Sequence, residues 1–225
     1  MTIKTKFILN AFISSLLFSI VLFISAGRID YLQGWAYLFT SITTTLMNVL
    51  TIKANPELMS ERTNPGEGIK PWDKMLLGLS LLVFVATMIL AGLDSGRYQW
   101  STQVPLSVVA LGIFFMISGQ TIFLVARKEN KFFSTVMRIQ KERGHTVCES
   151  GIYSVIRHPG YLGMIISTIG IPLILCSLWS VIPIFVSIVL LCIRTILEDN
   201  TLKIELDGYT EYIKKTPYRL IPWIW

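Results

Sequence analysis

The chain has 225 residues, of which 52% are apolar and 15% charged, and its formal net charge is +6. Together with a mean hydropathy of +0.60, this composition excludes an ordinary soluble domain. A basic chain can bind nucleic acid, but the sequence contains no recognisable nucleic-acid-binding module. We therefore expect membrane lipids, and no nucleic acid, as the partners of this charge.

The first part of the chain contains four long segments without a charged residue. Each is close to the ~20 residues that a helix needs to cross a hydrocarbon core of ~30 Å. We predict a four-helix transmembrane region over residues 1–126. The first segment is too long for a signal peptide and no cleavage site follows it, so we expect it to be retained. The four segments are Phe7–Ala26, Gly34–Ile52, Met75–Leu93 and Val104–Ala126.

The loops between these segments are short. Lys53–Lys74 is expected to lie in the cytosol and to contain a short helix, with Asn55 as N-cap and Pro56 in the first turn. The two outer loops, Arg28–Gln33 and Asp94–Gln103, leave no room for an external domain. Any chemistry must therefore take place within the membrane or on its cytosolic face.

Residues 127–225 have a different composition and are predicted to form the catalytic region. Phe132, Phe133, Val136 and Ile139 have helix-like spacing, which predicts an interfacial amphipathic helix within residues 127–150. The apolar block 162–193 predicts a helical hairpin that turns near residues 176–180. A helix should continue from the hairpin to about Gly208, followed by a short helical piece over residues 209–215.

These elements predict an all-α integral membrane protein with about five to six transmembrane helices, including the C-terminal hairpin, and cytosolic helices that form a cofactor pocket. With six spans, only Arg28 and Arg97 of the 20 Lys and Arg residues lie on the outer side. This positive-inside pattern predicts cytoplasmic termini in a multi-pass protein. With two histidines and three cysteines that we expect to be reduced, no metal site is predicted.

A polar segment, residues 151–161, interrupts the apolar blocks. Polar groups at membrane depth are expensive, so Tyr153, Arg157, His158 and Tyr161 indicate a functional site. The adjacent arginine disfavours a cationic His158, and a neutral imidazole suits hydrogen bonding to a cofactor. Pro159 restricts the residue before it, so a helix should begin at or just after this proline. Gly163, Ser167 and Gly170 should then form a helix-packing face.

A second polar cluster, Arg194, Glu198 and Asp199, follows the hairpin. One interpretation is an interfacial arginine that forms an i,i+4 pair with Glu198. In the functional interpretation, Arg194 holds an anionic substrate group in its guanidinium fork. Glu198 then binds a cationic or hydroxylated cofactor group.

The two clusters together carry a recognisable motif. Gly151-x-Tyr-x3-Arg-His-Pro-x-Tyr161-x-Gly163, then Arg194-x3-Glu-Asp199 and Tyr209-x2-Tyr212, resembles the isoprenylcysteine carboxyl methyltransferase family, and its small bacterial members in particular. The resemblance covers residues 130–225 in detail. It implies a membrane enzyme, expected in a bacterial plasma membrane, that uses S-adenosylmethionine. The implied reaction methylates the carboxylate of a lipophilic, isoprenoid-like small molecule or lipid.

The resemblance also implies roles for individual residues. Arg194 would bind the substrate and, with Glu198, form the catalytic pair. The family's usual second glutamate is the shorter Asp199 here, which leaves the role of that carboxylate open. The cofactor-binding positions would be Gln140, His145, Thr146, Val147, Cys148, Tyr153, His158, Pro159, Tyr161 and Glu198.

Three other functions are compatible with parts of the sequence. Phospholipid methyltransferases of similar size methylate an amine and would need a base. Membrane sterol reductases use a nicotinamide cofactor and share both Arg-His-Pro-x-Tyr and a closing motif like Pro217–Pro222. A non-enzymatic protein that has kept the fold is the third alternative, and the concentration of polar groups argues against it.

Overall fold

A computed structural model describes residues 2–52, 55–102 and 104–225. The residues outside the description are Met1, Lys53, Ala54 and Gln103. The predicted start of the first cytosolic loop at Lys53 and the predicted end of the second outer loop at Gln103 therefore lie outside it. The described chain is helical and contains no strand, which confirms the all-α prediction. Its helices are α1 (Ile3–Ala26), α2 (Leu32–Ile52), α3 (Pro56–Thr63), α4 (Pro71–Ala91), α5 (Leu106–Glu129), α6 (Pro159–Leu175), α7 (Val181–Glu205) and α8 (Tyr209–Lys215).

Four helices of the described chain are long and apolar enough to cross a membrane. They are α1, α4 with the π-helical turn Gly92–Tyr98 that continues it, α5 and α7. The apolar helix α6 is shorter, with 17 residues. Helix α2 has 21 residues, but its hydroxyl and amide side chains lower its hydropathy. The chain is therefore a multi-pass, all-α membrane protein.

The short helix predicted in the first loop is present as α3. The side chain of Asn55 accepts a hydrogen bond from the backbone N–H of Leu58 at 3.0 Å, and Pro56 occupies the first turn. The cap fixes where the helix begins, because it satisfies a donor that the first turn leaves unpaired. This prediction is confirmed.

Helices α5 and α6 pack closely through small residues. A Cβ atom added at Gly163 would lie 2.6 Å from the carbonyl oxygen of Gly119, and one at Gly170 would lie 2.4 Å from that of Gly112. The Ser167 hydroxyl donates to the carbonyl oxygen of Met116 at 3.0 Å. The predicted small-residue face therefore brings the two backbones together. It fixes the position of the first turn of α6.

The hairpin turn also lies where it was predicted, between the end of α6 at Leu175 and the start of α7 at Val181. Close to this turn, Asp94 is fully buried in the π-helical turn. Its carboxylate accepts hydrogen bonds from the Ser177 hydroxyl at 2.6 Å and from the Ser101 hydroxyl at 2.7 Å. Asp94 therefore ties the end of α4 to the hairpin turn.

The amphipathic helix predicted within residues 127–150 is wrong. Helix α5 continues to Glu129, and residues 130–150, which we call the irregular segment, form no helix except one 3-10 turn, Lys141–Arg143. Phe132 and Met137 are buried rather than facing lipid. The backbone N–H of Met137 donates to the Asp73 carboxylate at 2.7 Å. Such tertiary bonds replace those that a helix would have supplied.

Candidate active site

A cavity of about 320 Å³ lies among the irregular segment, α3, α6, α7 and α8. This volume is at the lower end of the range for small-molecule sites. Among the described residues, Pro159 is the predicted site residue that does not reach the cavity; it is buried as the first residue of α6. The predicted residues that line the cavity are Gln140, His145, Thr146, Val147, Cys148, Tyr153, His158, Tyr161, Arg194 and Glu198.

Glu198 presents a partly available carboxylate to the cavity. The Tyr161 hydroxyl donates to its Oε2 at 2.6 Å, which joins the first turn of α6 to α7. The other oxygen, Oε1, lies 3.8 Å from Nδ1 of His158, and the side chain is 23% exposed. Oε1 is therefore free to accept a hydrogen bond from a ligand.

Asp199, the next residue, points into a buried ion cluster instead. Arg157 donates to both of its oxygens, at 2.8 and 2.9 Å, and Nε2 of His158 lies 3.0 Å from Oδ1. Tyr209 and Arg219 donate to the same carboxylate at 2.8 and 2.9 Å. The aspartate, which is one methylene shorter than the family's usual glutamate, thus holds four residues at or beside the cavity: Arg157, His158, Tyr209 and Arg219.

This cluster also orients the imidazole of His158. A carboxylate only accepts hydrogen bonds, so His158 donates from Nε2 to Asp199. The Nδ1 atom then faces Oε1 of Glu198 at 3.8 Å. Oε1 suits a ligand that brings a donor, such as a hydroxyl or an ammonium group.

Arg194 is held by a carboxylate that the sequence did not indicate. Its Nε and Nη2 donate to the two oxygens of Asp73, at 2.7 and 3.2 Å, and Nη2 also donates to the Thr135 carbonyl at 2.9 Å. The described residues show no ion pair between Arg194 and Glu198, so the interfacial i,i+4 pair is wrong. The only signal for Asp73 was an acid flanked by Lys70 and Lys74 next to an apolar run.

The segment that carries Gln140 and His145 folds back on Phe132. The rings of His145 and Phe132 lie 4.5 Å apart, and the Gln140 amide donates to the Phe132 carbonyl at 2.7 Å. Burial, with Arg143 and Arg138 nearby, lowers the pKa of His145 to about 4. The imidazole is therefore neutral at neutral pH. Its Nδ1 accepts from the backbone N–H of Gln140 at 3.3 Å, which leaves Nε2–H as a donor.

One side of the cavity is apolar and the other polar. Leu77 from α4, Phe123 from α5 and Met164 from α6 contribute apolar lining from the membrane helices. The irregular segment and α8 contribute polar groups. Sequence reasoning missed Arg62, which lines the cavity from α3 and to which no motif drew attention. The arrangement suits one lipophilic and one polar ligand.

Comparison with known proteins supports the motif-based resemblance. Residues 110–204 match the sequence model of the isoprenylcysteine carboxyl methyltransferase family. The chain is 27% identical over 100 residues to protein-S-isoprenylcysteine O-methyltransferase B of Arabidopsis thaliana, covering 44% of this chain and 47% of that protein. It is 28% identical over 116 residues to the Rattus norvegicus protein-S-isoprenylcysteine O-methyltransferase, covering 48% and 39%. For the Saccharomyces cerevisiae protein of that name, identity is 33% over 85 residues, covering 37% and 35%.

The matched stretch thus covers less than half the length of each of these relatives. The stretch matched by the family model, residues 110–204, runs from α5 through α6 and most of α7, and it includes Arg157, His158, Arg194 and Glu198. Arg62 and Asp73 lie outside it. Across residues 110–204, and with the cavity residues in the positions that the motifs indicated, this chain is similar to the isoprenylcysteine carboxyl methyltransferase family.

Proposed function

We propose that the protein is a membrane-embedded methyltransferase that transfers a methyl group from S-adenosylmethionine to the carboxylate of an isoprenylated cysteine. The observation that carries this proposal is a single cavity where the family-matched polar residues meet an apolar lining from the membrane helices. The names of the relatives favour an isoprenylcysteine over a small isoprenoid or fatty acid as acceptor.

The residues of the cavity fit this cofactor. Oε1 of Glu198 is an acceptor for the ammonium or ribose hydroxyl groups that such a molecule carries, and Nδ1 of His158 lies 3.8 Å from it. Neutral His145 can hydrogen-bond without adding a charge that would repel a sulfonium. When bound, S-adenosylmethionine supplies an activated methyl group on sulfur.

The protein's contribution to the reaction is alignment. A carboxylate with a pKa of ~3.5 is ionised at neutral pH and needs no general base. In the transfer, an oxygen of this carboxylate would bond to the methyl carbon as the carbon–sulfur bond breaks, and the electron pair of that bond would stay on sulfur. Arg194, already fixed by Asp73 and Thr135, would hold the acceptor carboxylate with little reorganisation.

The alternative enzyme functions are not favoured. The family match is to carboxyl methyltransferases, and neither amine methyltransferases nor reductases are among the reported relatives. The closing motif shared with reductases has a structural role here. Arg219 donates to Asp199, and the Arg219 carbonyl accepts from the backbone N–H of His158 at 2.9 Å.

We also propose that both termini and the cavity face the cytoplasm in a bacterial plasma membrane. The support is the distribution of Lys and Arg, with only Arg28 and Arg97 on the other side of a six-span arrangement. A C-terminal fluorescent or alkaline phosphatase fusion tests the orientation. Fluorescence without phosphatase activity is expected, and the reverse result would contradict it.

The proposed function is tested by cofactor binding and methyl transfer with detergent-purified protein. Wild type should bind S-adenosylmethionine and methylate N-acetyl-S-farnesyl-L-cysteine. His158→Ala and Glu198→Ala should lose binding, and Arg194→Ala should lose turnover. Glu211→Ala, at an exposed position of α8, is the matched control. Binding of a nicotinamide cofactor in place of S-adenosylmethionine would instead establish the reductase function.

A further inference from the structure

Arg62 is an arginine of the cavity lining that pairs with no acid in the described part of the chain. Its guanidinium carbon lies 5.7 Å from the ring centre of Phe123 and 5.6 Å from that of Phe133. Its Nε atom is buried, and no described residue accepts a hydrogen bond from it. No described acid forms an ion pair with Arg62. Buried polar atoms are nearly always hydrogen-bonded, so this exception requires an explanation.

The neighbouring residue on α3 holds Arg62 in this position. Glu61 accepts hydrogen bonds from Nε and Nη2 of Arg138, at 3.0 and 2.7 Å, and from the Ser134 hydroxyl at 2.9 Å. These bonds attach α3 to the irregular segment. Successive residues of a helix point about 100° apart, so Glu61 can face the segment while Arg62 faces the cavity.

The charges around the cavity leave Arg62 uncompensated. The other arginines that line it are paired: Arg138 with Glu61, Arg157 with Asp199 and Arg194 with Asp73. Burial, with Arg127 and Arg194 nearby, lowers the pKa of Arg62 to about 9, so the group is still charged at neutral pH. A half-buried cation without a described acidic partner is unfavourable until an anion binds beside it.

The surroundings of Arg62 indicate which anion this is. Phe123, which contacts Arg62, belongs with Leu77 and Met164 to the apolar lining from the membrane helices. Arg194, whose Nη1 has no acceptor among the described residues, lines the same cavity. A lipid-linked acceptor would place its chain along this lining and its carboxylate at these cations. The cofactor's ammonium end is better served by Glu198.

On the basis of the proposed function, we propose that Arg62 and Arg194 together form the binding site for the acceptor's carboxylate, and that Arg62 makes the site selective for anionic acceptors. Arg194, which is fixed by Asp73, positions the acceptor's carboxylate. Arg62, for which no described acid competes, provides the uncompensated charge. A neutral or cationic acceptor of the same shape would leave Arg62 unpaired and bind more weakly.

The test compares N-acetyl-S-farnesyl-L-cysteine with its carboxamide, which differs only in the charge of the acceptor group. Equilibrium binding is measured in detergent with S-adenosylhomocysteine present. Wild type should bind the acid ~10-fold or more tightly than the amide, as expected for a charged hydrogen-bonding partner. Arg62→Met should bind the two with similar affinity, and Arg62→Lys should keep part of the preference. Arg28→Met, a distant arginine paired with Asp30, should behave as wild type.

Measuring S-adenosylmethionine binding distinguishes whether Arg62 binds the carboxylate of the acceptor or the carboxylate of the cofactor. Arg62→Met should bind this cofactor within about twofold of wild type. Weaker cofactor binding with acid selectivity intact would mean that Arg62 holds the cofactor's own carboxylate, and would overturn the proposal. A wild type that binds the amide as well as the acid would also overturn it.

Two further outcomes keep this inference distinct from the proposed function. If the acid binds through Arg62 but is not methylated, the proposed function fails and the carboxylate site stands. If Arg62→Met does not fold, Arg62→Gln decides, because it removes the charge but keeps a polar side chain. A preference for the acid as strong as that of wild type in Arg62→Gln would overturn the proposal.

Discussion

The two ends of the helical bundle each contain a buried aspartate, and the two differ in their partners. Asp94, at the end near the hairpin turn, accepts hydrogen bonds from neutral groups of Ser101, Ser177 and Trp179. Asp199, at the cavity end, accepts from two arginines, a histidine and a tyrosine. The exposed fractions of the two residues are 0% and 2%.

The difference shows how a buried carboxylate can serve two purposes. Neutral donors around Asp94 close the turn between α6 and α7 and tie it to α4. The ion cluster around Asp199 fixes His158 and Arg157 at the edge of the cavity. The residue beside it, Glu198, is left with one oxygen open to a ligand. One end is thus built for closure and the other for ligand binding.

The largest effect is expected when the ion cluster is broken. Asp199→Ala leaves Arg157 and Arg219 without their carboxylate and should reduce the free energy of unfolding by about 3–5 kcal/mol. It should also abolish S-adenosylmethionine binding, because His158 loses its orienting partner. The melting temperature and cofactor binding in detergent measure both effects. Asp207→Ala, at an exposed position just after α7, is the control. An unchanged melting temperature would contradict the ion-cluster role.

Removing the hydrogen bonds of Asp94 near the hairpin turn should lower the stability less and leave cofactor binding intact. Asp94→Ala leaves hydroxyl and amide donors unsatisfied and should destabilise the protein by about 1–3 kcal/mol. Cofactor affinity should stay within about twofold of wild type, because no site residue contacts Asp94. The melting temperature measures the loss of stability, and calorimetry measures the affinity for S-adenosylmethionine. A loss of binding like that of Asp199→Ala would show that the two ends are not separable.

Glu198→Gln sharpens the comparison between adjacent carboxylates. The amide keeps an acceptor for the Tyr161 hydroxyl, so the free energy of unfolding should change by less than ~0.5 kcal/mol. Loss of the charge should weaken S-adenosylmethionine binding by roughly tenfold, the usual scale for a charge-assisted hydrogen bond. Calorimetry provides the affinity. Strong destabilisation with intact affinity would assign Glu198 to the scaffold rather than the site.

The smallest effect concerns pH and His145. Its pKa is lowered from 6.5 to about 4 in the folded protein, so the unfolded chain binds the proton more readily. The stability contributed by neutral His145 is fully present above pH 6.5 and is lost as the pH falls from 6.5 towards 4. In His145→Gln, the melting temperature should therefore fall less between about pH 7 and pH 5 than in wild type. An equal fall would contradict the burial of this imidazole.

Local sequence signals predicted the helices well. Asn55 and Pro56 predicted the start of α3, and Pro159 predicted the start of α6. Long apolar runs predicted the candidate spans α1, α4, α5 and α7, and the small residues of α6 predicted its contact with α5. Each of these depends on neighbours within a few residues along the chain. The irregular segment after α5 was mispredicted because its bonding partners, Glu61 and Asp73, lie more than 60 positions away.

The sequence by itself determined the fold class, the hairpin turn and the motif residues that line the cavity, although not Arg62, because hydropathy, caps and a motif are local properties. It could not determine how these residues are paired. Only the tertiary structure assigned Asp73 to Arg194 and Asp199 to Arg157, because an ion pair depends on which helices become neighbours. The same long-range pairing leaves Arg62 as the cation at the cavity without a described acidic partner.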